Sequence, residues 1–187
     1  MTRAPSPTRV IVLLRGINVG GRRAVPMADL RQLAGAAGYA EVETYIQSGN
    51  LVLTTTEATA TVEATLERAI AKRFGFEVSV TARTAAAWAR AIAANPFADA
   101  ATERPSHLLL GLSKRPPSRD TAAQLRPHAT LGERVEVRGD AIWLDYLGGV
   151  GKSKLSPAVL DRAVGSPVTA RNWTTVRKLA EMARTPR

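Results

Sequence analysis

An α+β fold of two successive βαββαβ units is what the sequence predicts, and three observations carry that prediction. Short β-rich apolar runs alternate with stretches of helical period in the order strand, helix, strand, strand, helix, strand. That order occurs twice. The chain has 187 residues, a length that suits one large domain or two small ones and is enough for a substantial core. Its 45% hydrophobic and 22% charged residues are an ordinary globular balance, which excludes a chain disordered throughout.

The elements follow in order. Arg9 to Leu14 is a β-rich apolar run, and Met27 to Ala37, introduced by Pro26, places Met27, Leu30 and Leu33 on one helical face. Glu41 to Ile46 and Leu51 to Thr55 flank Gln47-Ser48-Gly49-Asn50, a polar connection that reads as a hairpin. Thr61 to Phe74 spaces Val62, Leu66, Ala69 and Ile70 as a helix, and Phe76 to Thr81 returns as a strand. An alanine-rich linking helix, Thr84 to Ala94, stops at Asn95-Pro96 because proline disfavours helical geometry in the residue before it. A boundary is therefore expected near Asn95 to Pro105, giving one unit over residues 8–95 and a second over 96–187.

In the second unit His107 to Leu112 is a strand and Arg119 to Leu125 a short helix. Arg134 to Arg138 and Ala141 to Tyr146 form a hairpin about Gly139-Asp140, and Pro157 to Val164 is a helix. Val168 to Ala170 is the last strand, followed by a terminal helix from about Trp173 to Ala183. The repeat is visible in element order, not in sequence identity. The order fits two ferredoxin-like units in tandem. Val10 to Leu14, Leu51 to Leu53 and Leu108 to Leu110 are apolar at consecutive positions, so each sheet has apolar side chains on both faces and needs cover on both. The strands lack the aromatic ladder with which RNA-recognition sheets stack bases.

Twenty-six basic and sixteen acidic residues give a net charge of +10, nearly all the cations being arginine, whose planar fork suits phosphate and carboxylate. An anionic partner is favoured over the alternative of an arginine-rich but ordinary solvated surface. The charge is spread, with eleven basic and seven acidic residues up to Asn95 and fifteen and nine after it. With no cysteine and two histidines, disulfides, thiolate zinc sites, iron–sulfur clusters and multi-histidine metal sites are excluded; no metal and no cofactor are expected. Met1 to Thr8 has no apolar signal-peptide core and no later run is long enough to span a membrane, so a cytoplasmic protein with no membrane partner is expected.

Two loops carry the candidate chemistry. Gly16-Ile17-Asn18-Val19-Gly20-Gly21-Arg22-Arg23 leaves the first strand, and its amides could meet an anion with help from Arg15, Arg22 and Arg23; a purely structural glycine loop is the competing reading. In a split βαβ unit the hairpin between strands two and three lies at the same edge, which brings Gln47, Ser48 and Asn50 towards Asn18 and Arg22. The second loop, Gly148-Gly149-Val150-Gly151-Lys152-Ser153, invites a Walker A reading, but Tyr146 stands where that motif needs its first glycine, and the acidic partner strand is missing. Looser phosphate binding by Lys152, Ser153 and Lys154 survives that objection. The same topology sets Arg171, Asn172 and Trp173, after the last strand, near this loop, although Asn172 also suits a helix cap and Trp173 simple packing. His107 and His128 have no acidic or nucleophilic neighbour in sequence, Asp140 fits a Gly-Asp turn, and Asp145 stands out as a carboxylate ending an apolar strand. No acid–base pair or Ser–His–Asp set follows from spacing.

Leu14-Arg15-Gly16-Ile17-Asn18-Val19-Gly20-Gly21, Val25-Pro26-Met27 with Leu30, Gln47-Ser48-Gly49-Asn50, Ser153-Lys154-Leu155, and Arg171-Asn172-Trp173 with Thr175-Val176 and Lys178-Leu179 together resemble the bacterial domain-of-unknown-function family sixteen-ninety-seven. The resemblance runs from about Val10 to Leu179, with Thr174 where the family often has asparagine. It implies a cytoplasmic α+β protein of two ferredoxin-like parts and implies no reaction.

The functional expectation is a binding protein for an anionic ligand, nucleic acid or a phosphorylated small molecule. Arg15, Asn18, Arg22, Arg23, Gln47, Ser48 and Asn50 form one cluster, and Lys152, Ser153, Arg171, Asn172 and Trp173 a second. Both clusters are expected to face a groove between the halves. Two other readings stand beside it: a metal-independent enzyme acting on a small substrate in that groove, and a structural or interaction protein, monomer or homodimer.

Overall fold

The computed structural model describes residues 6–184, so the first five residues of the polar Met1 to Thr8 stretch lie outside the described residues. The chain folds as β1 (Thr8–Leu14), α1 (Met27–Ala36), β2 (Ala40–Tyr45), β3 (Asn50–Thr55), α2 (Thr59–Phe74), β4 (Val80–Thr84), α3 (Ala85–Ala93) and α4 (Ala98–Glu103). It continues through β5 (Leu108–Leu112), α5 (Thr121–Leu125), β6 (Arg134–Arg138), β7 (Ala141–Asp145), α6 (Pro157–Val164), β8 (Thr169–Asn172) and α7 (Trp173–Arg184). Contacts divide it into two compact units, one running to Trp88 and taking in the chain from Leu179, the other spanning Ala89–Lys178. Among the described residues no helix is long and apolar enough to cross a membrane.

The first unit is a four-stranded antiparallel sheet in the order β2-β3-β1-β4, the ferredoxin-like arrangement. Val10, Val12, Leu14, Leu51, Leu53, Val80 and Ala82 share one core with Leu30 of α1 and Val62, Leu66 and Ile70 of α2. Alternation sends Ile11, Leu13 and Val52 to the opposite face, and these too are buried, as consecutive apolar positions require. Arg9 stands at the outer end of that face, with one amino group against the Met182 carbonyl near the end of α7. β4 lies at the sheet margin with β1 as its neighbour. The Val80 and Ala82 amides, which β1 does not take, donate to Glu67 Oε1 (2.9 Å) and Glu63 Oε1 (2.7 Å) of α2.

The second unit repeats the plan, with sheet order β6-β7-β5-β8, all neighbours antiparallel. Ile142, Leu144, Leu155, Leu160, Val164 and Val168 form its helix-side core, and Leu108, Leu110 and Trp143 are buried on the other face. There Trp173, at the start of α7, meets Trp143 with ring centroids 5.7 Å apart.

Three sequence expectations shift. The strand expected over Phe76 to Thr81 begins only at Val80, because Gly75 closes α2 at φ +78° and Phe76 turns back to pack beside Phe74 against the core. The segment from Asn95 to Pro105, to which no element was assigned, contains α4, a short turn of helix anchored by buried Ala100. The last strand runs two residues beyond Ala170, so Arg171 and Asn172 belong to β8 instead of following it.

Register also exposes sequence identity between the halves. Leu13 pairs with Thr81 as Leu112 pairs with Thr169, which aligns Val80-Thr81-Ala82-Arg83 with Val168-Thr169-Ala170-Arg171. In both, the arginine Nη1 donates to the preceding alanine carbonyl at 2.9 Å, and the next side chain caps the following helix: Thr84 Oγ1 accepts from the Ala87 amide (3.2 Å), Asn172 Oδ1 from the Thr175 amide (2.9 Å). The Val168 amide is taken by Asp161 of α6 (2.9 Å), as Glu67 of α2 takes Val80.

Candidate functional site

At the first unit's glycine-rich edge three segments meet. The Leu14 amide donates to the Gly49 carbonyl (2.8 Å) and the Arg15 amide to the Ser79 carbonyl (3.0 Å), so the end of β1 is held between the β2–β3 turn and the lead-in to β4. Asn18 fastens the loop that follows. Its Nδ2 donates to the Gln47 carbonyl (2.7 Å) and the Val25 carbonyl (3.0 Å), and its Oδ1 accepts from the Val25 amide (2.8 Å). Asn18 itself sits at φ +55°, a conformation asparagine tolerates better than most residues.

The glycine loop is a miniature β-hairpin. Val19 and Arg22 form an antiparallel bridge, the Arg22 amide donating to the Val19 carbonyl (3.1 Å), and Gly20 and Gly21 turn the chain at φ +58° and +71°. Two consecutive positive φ values are what a two-residue hairpin turn of the primed type requires, which explains the Gly-Gly pair. A Cβ added to either glycine would meet nothing within 4 Å, so the tip faces open space. Val19 is 67% exposed, and Arg22 and Arg23 are exposed; among the described residues neither guanidinium has a protein partner, although Arg23 Nη1 comes near Gly16.

The adjoining turn serves as the anchor. Gly49 is at φ +78°, and a Cβ there would lie 2.7 Å from Leu14 Cβ and Ile17 Cδ1, so only glycine allows the two loops to approach. Asn50 is fully buried at the head of β3, its Nδ2 donating to the Tyr45 carbonyl and Ser48 Oγ (both 2.9 Å). Asn18, Ser48 and Asn50 therefore build the edge. Arg22, Arg23 and the Gln47 side chain are exposed upon it, and Arg15 is half-buried beside it with contacts of its own.

The second loop is different in kind. Val150–Lys152 makes one tight helical turn, and an extended Ser153 separates it from α6, which starts at Pro157; the loop does not wrap into a helix N-terminus as a Walker A loop does. Ser153 Oγ donates to Glu133 and accepts from the Leu155 amide (3.1 Å). Arg171 is half-buried, and burial pulls its pKa down to about 10, so it remains charged near neutrality. Asn172 spends its Oδ1 on the α7 cap and Trp173 packs on Trp143. Lys152 and Lys154 are exposed. His107 lies beside the loop, its Nε2 3.7 Å from where a Gly149 Cβ would be and its buried Nδ1 without a hydrogen-bond partner among the described residues.

An ion network lies at the same edge, of which the hairpin about Gly139-Asp140 implies the Arg134–Asp145 pair and spacing gave no sign of Arg104 or Asp99. Asp145, fully buried at the end of β7, accepts from Arg104 Nε (2.9 Å) and Nη2 (2.8 Å) and from Arg134 Nε (2.8 Å). Asp99 on α4 bridges the same two arginines, and Arg134 lies 4.5 Å over the Phe97 ring. Burial works against the Asp145 charge, but the two guanidiniums more than offset it and hold its carboxyl below the usual range. Asp99 falls to about 2, chiefly through Arg134. Both ends of Asp145 are occupied, so its position at the end of an apolar strand marks structure. Among the described residues no group of three or more His, Asp or Glu side chains could hold a metal ion.

The family described as protein of unknown function (DUF1697) matches residues 8–143. A solved structure, the conserved bacterial protein SP0830 from Streptococcus pneumoniae, is similar over 95% of this chain and 99% of its own, with 23% identity and a TM-score of 0.71. That likeness bears on the fold alone. No curated protein matches. The chain belongs to the DUF1697 family, and its two-unit α+β architecture is one that a solved bacterial protein shares.

Proposed function

We propose that this member of the family binds nucleic acid through the hairpin edge of its first unit, with Arg23 on phosphate and Arg22, Gln47 and Arg15 beside it. The observation that carries the reading is a hairpin whose two tip glycines face open space and whose two exposed guanidiniums have no protein partner among the described residues. Arginines without a carboxylate of their own, on a chain of net charge +10, favour a polyanion. Shape favours nucleic acid over a phosphorylated small molecule. Small ligands are enclosed by concave pockets, whereas a convex finger is itself enclosed, by a groove in its partner. Ser153, Arg171, Asn172 and Trp173 are given structural work in this reading, because each is engaged within its own unit.

A fluorescence-polarisation titration of labelled DNA and RNA against salt tests it. Each phosphate contact should contribute a slope of about −0.9 on duplex DNA, so Arg23→Ala should reduce the slope by about one, and replacing Arg22 and Arg23 together should weaken binding by about tenfold or more at low salt. Lys152→Ala should change affinity by less than about twofold. No binding to any nucleic acid at low salt would discard the reading.

A further inference from the structure

We infer that the Asn18–Arg23 hairpin enters the major groove of duplex DNA and reads base edges there, Arg22 facing guanine and Val19 the thymine methyl while Arg23, whose Nη1 lies back near Gly16, stays on the flanking phosphate; this rests on the nucleic-acid reading above. Width comes first. The B-form major groove admits a two-stranded β-ribbon, and this finger is such a ribbon reduced to one bridged pair, Val19 with Arg22, closed by two residues that carry no side chain. Bare glycines at φ +58° and +71° let the tip approach the groove floor with nothing but backbone.

Chemistry comes second. The bridge sets an aliphatic side chain next to a guanidinium, and Arg23 follows on the same strand. Guanine offers O6 and N7 to a guanidinium fork, and thymine offers a methyl group to an apolar side chain, both in the major groove. A 67% exposed valine beside the tip of an otherwise polar hairpin leaves most of its apolar side chain in water, and a methyl group on the partner would cover it. Rigidity comes third. Three hydrogen bonds from one Asn18 side chain hold the base of the finger to Val25 and Gln47, so little ordering remains to be done on binding. The neighbouring Ile46, 50% exposed and held at φ +50°, flanks the base.

Other nucleic acids fit less well. The major groove of an A-form RNA duplex is too narrow and deep for side chains to read, and single strands are gripped by stacking on aromatic rings, whereas the exposed large apolar side chains here are Val19 and Ile46.

The test uses the full chain and a labelled duplex of alternating dG and dT against its complement, in fluorescence polarisation. Replacing dG with 7-deaza-dG, which removes the N7 acceptor, should weaken binding about fivefold, and the effect should vanish in the Arg22→Ala, Arg23→Ala double variant. Replacing dT with deoxyuridine should cost about twofold in the wild type and nothing in Val19→Ala. The same sequence as an RNA duplex, or as single-stranded DNA, should bind at least about tenfold more weakly. These residues are exposed, so the variants should melt like the wild type. Equal binding of DNA and RNA duplexes, or indifference to both base analogues, would overturn the groove assignment while leaving phosphate binding intact. Absence of binding to all the probes would overturn both.

Discussion

The two units close the same end of their second sheet face with opposite charge. In the first, Arg9, paired across the sheet with Thr54, reaches Glu43 at 2.8 Å and Glu41 at 3.5 Å. In the second, the position equivalent to Thr54 is Asp145, paired with Leu108 and bound by Arg104 and Arg134. One half buries a cation between two carboxylates and the other a carboxylate between two cations. Sign is therefore free at this cross-strand pair and countercharge is not: a charge leaving water must be met by opposite charge, and either polarity meets the requirement, although Arg9 leaves its buried Nε without a hydrogen-bond partner among the described residues. Depth separates them, since Arg9 retains 12% side-chain exposure and Asp145 none.

That difference in depth sets the largest expected effect. Asp145→Asn should cost about 3–5 kcal/mol in chemical denaturation, because two arginines lose their shared carboxylate, whereas Arg9→Gln should cost about half as much. Equal losses would remove depth as the explanation. Acid sharpens the contrast. The folded Asp145 carboxyl is held below its unfolded value of about 3.9, so its contribution is fully present above that pH and is lost as pH falls through the folded value. The stability gap between wild type and Asp145→Asn should stay constant from neutrality down to about pH 4 and narrow below it.

A second comparison is between glycines. Gly49 and Gly20 both need positive φ, but only Gly49 faces atoms within 3 Å of a new Cβ. Gly49→Ala should cost about 3 kcal/mol and Gly20→Ala about 1, measured by urea unfolding. Similar values would mean that the approach of the two loops is not tight. The smallest effect concerns the shared caps: Thr84→Ala and Asn172→Ala should each cost about 1 kcal/mol, and a much larger loss for one would break the equivalence of the two helix starts.

Element order and the double-faced strands were legible because periodicity is local: Val10 to Leu14 announces both faces within five residues. The candidate site was legible in part. Strand topology alone brought Gln47 towards Asn18, and a Val-Gly-Gly-Arg stretch was open to reading as a hairpin turn, yet glycine also marks loops of every other kind. The Asp145 network was legible by half: a two-residue turn at Gly139-Asp140 sets Arg134 directly opposite Asp145, whereas Arg104 lies 41 residues away and nothing in its neighbourhood marks it as a partner. Val-Thr-Ala-Arg appears twice in plain view, but four residues gain meaning only when register places them opposite equivalent leucines.

The glutamates along α2 have a further consequence. A marginal strand normally offers a row of open amides to any extended chain that drifts past, and that is how sheets recruit strangers and begin to aggregate. On β4 the Val80 and Ala82 amides are already occupied by carboxylates, which leaves a newcomer negative charge where it needs acceptor-hungry hydrogens. Chain order adds timing. α2 precedes β4, so a growing polypeptide holds the guard before it makes the strand to be guarded, and the vulnerable interval in which that margin lies open is kept short.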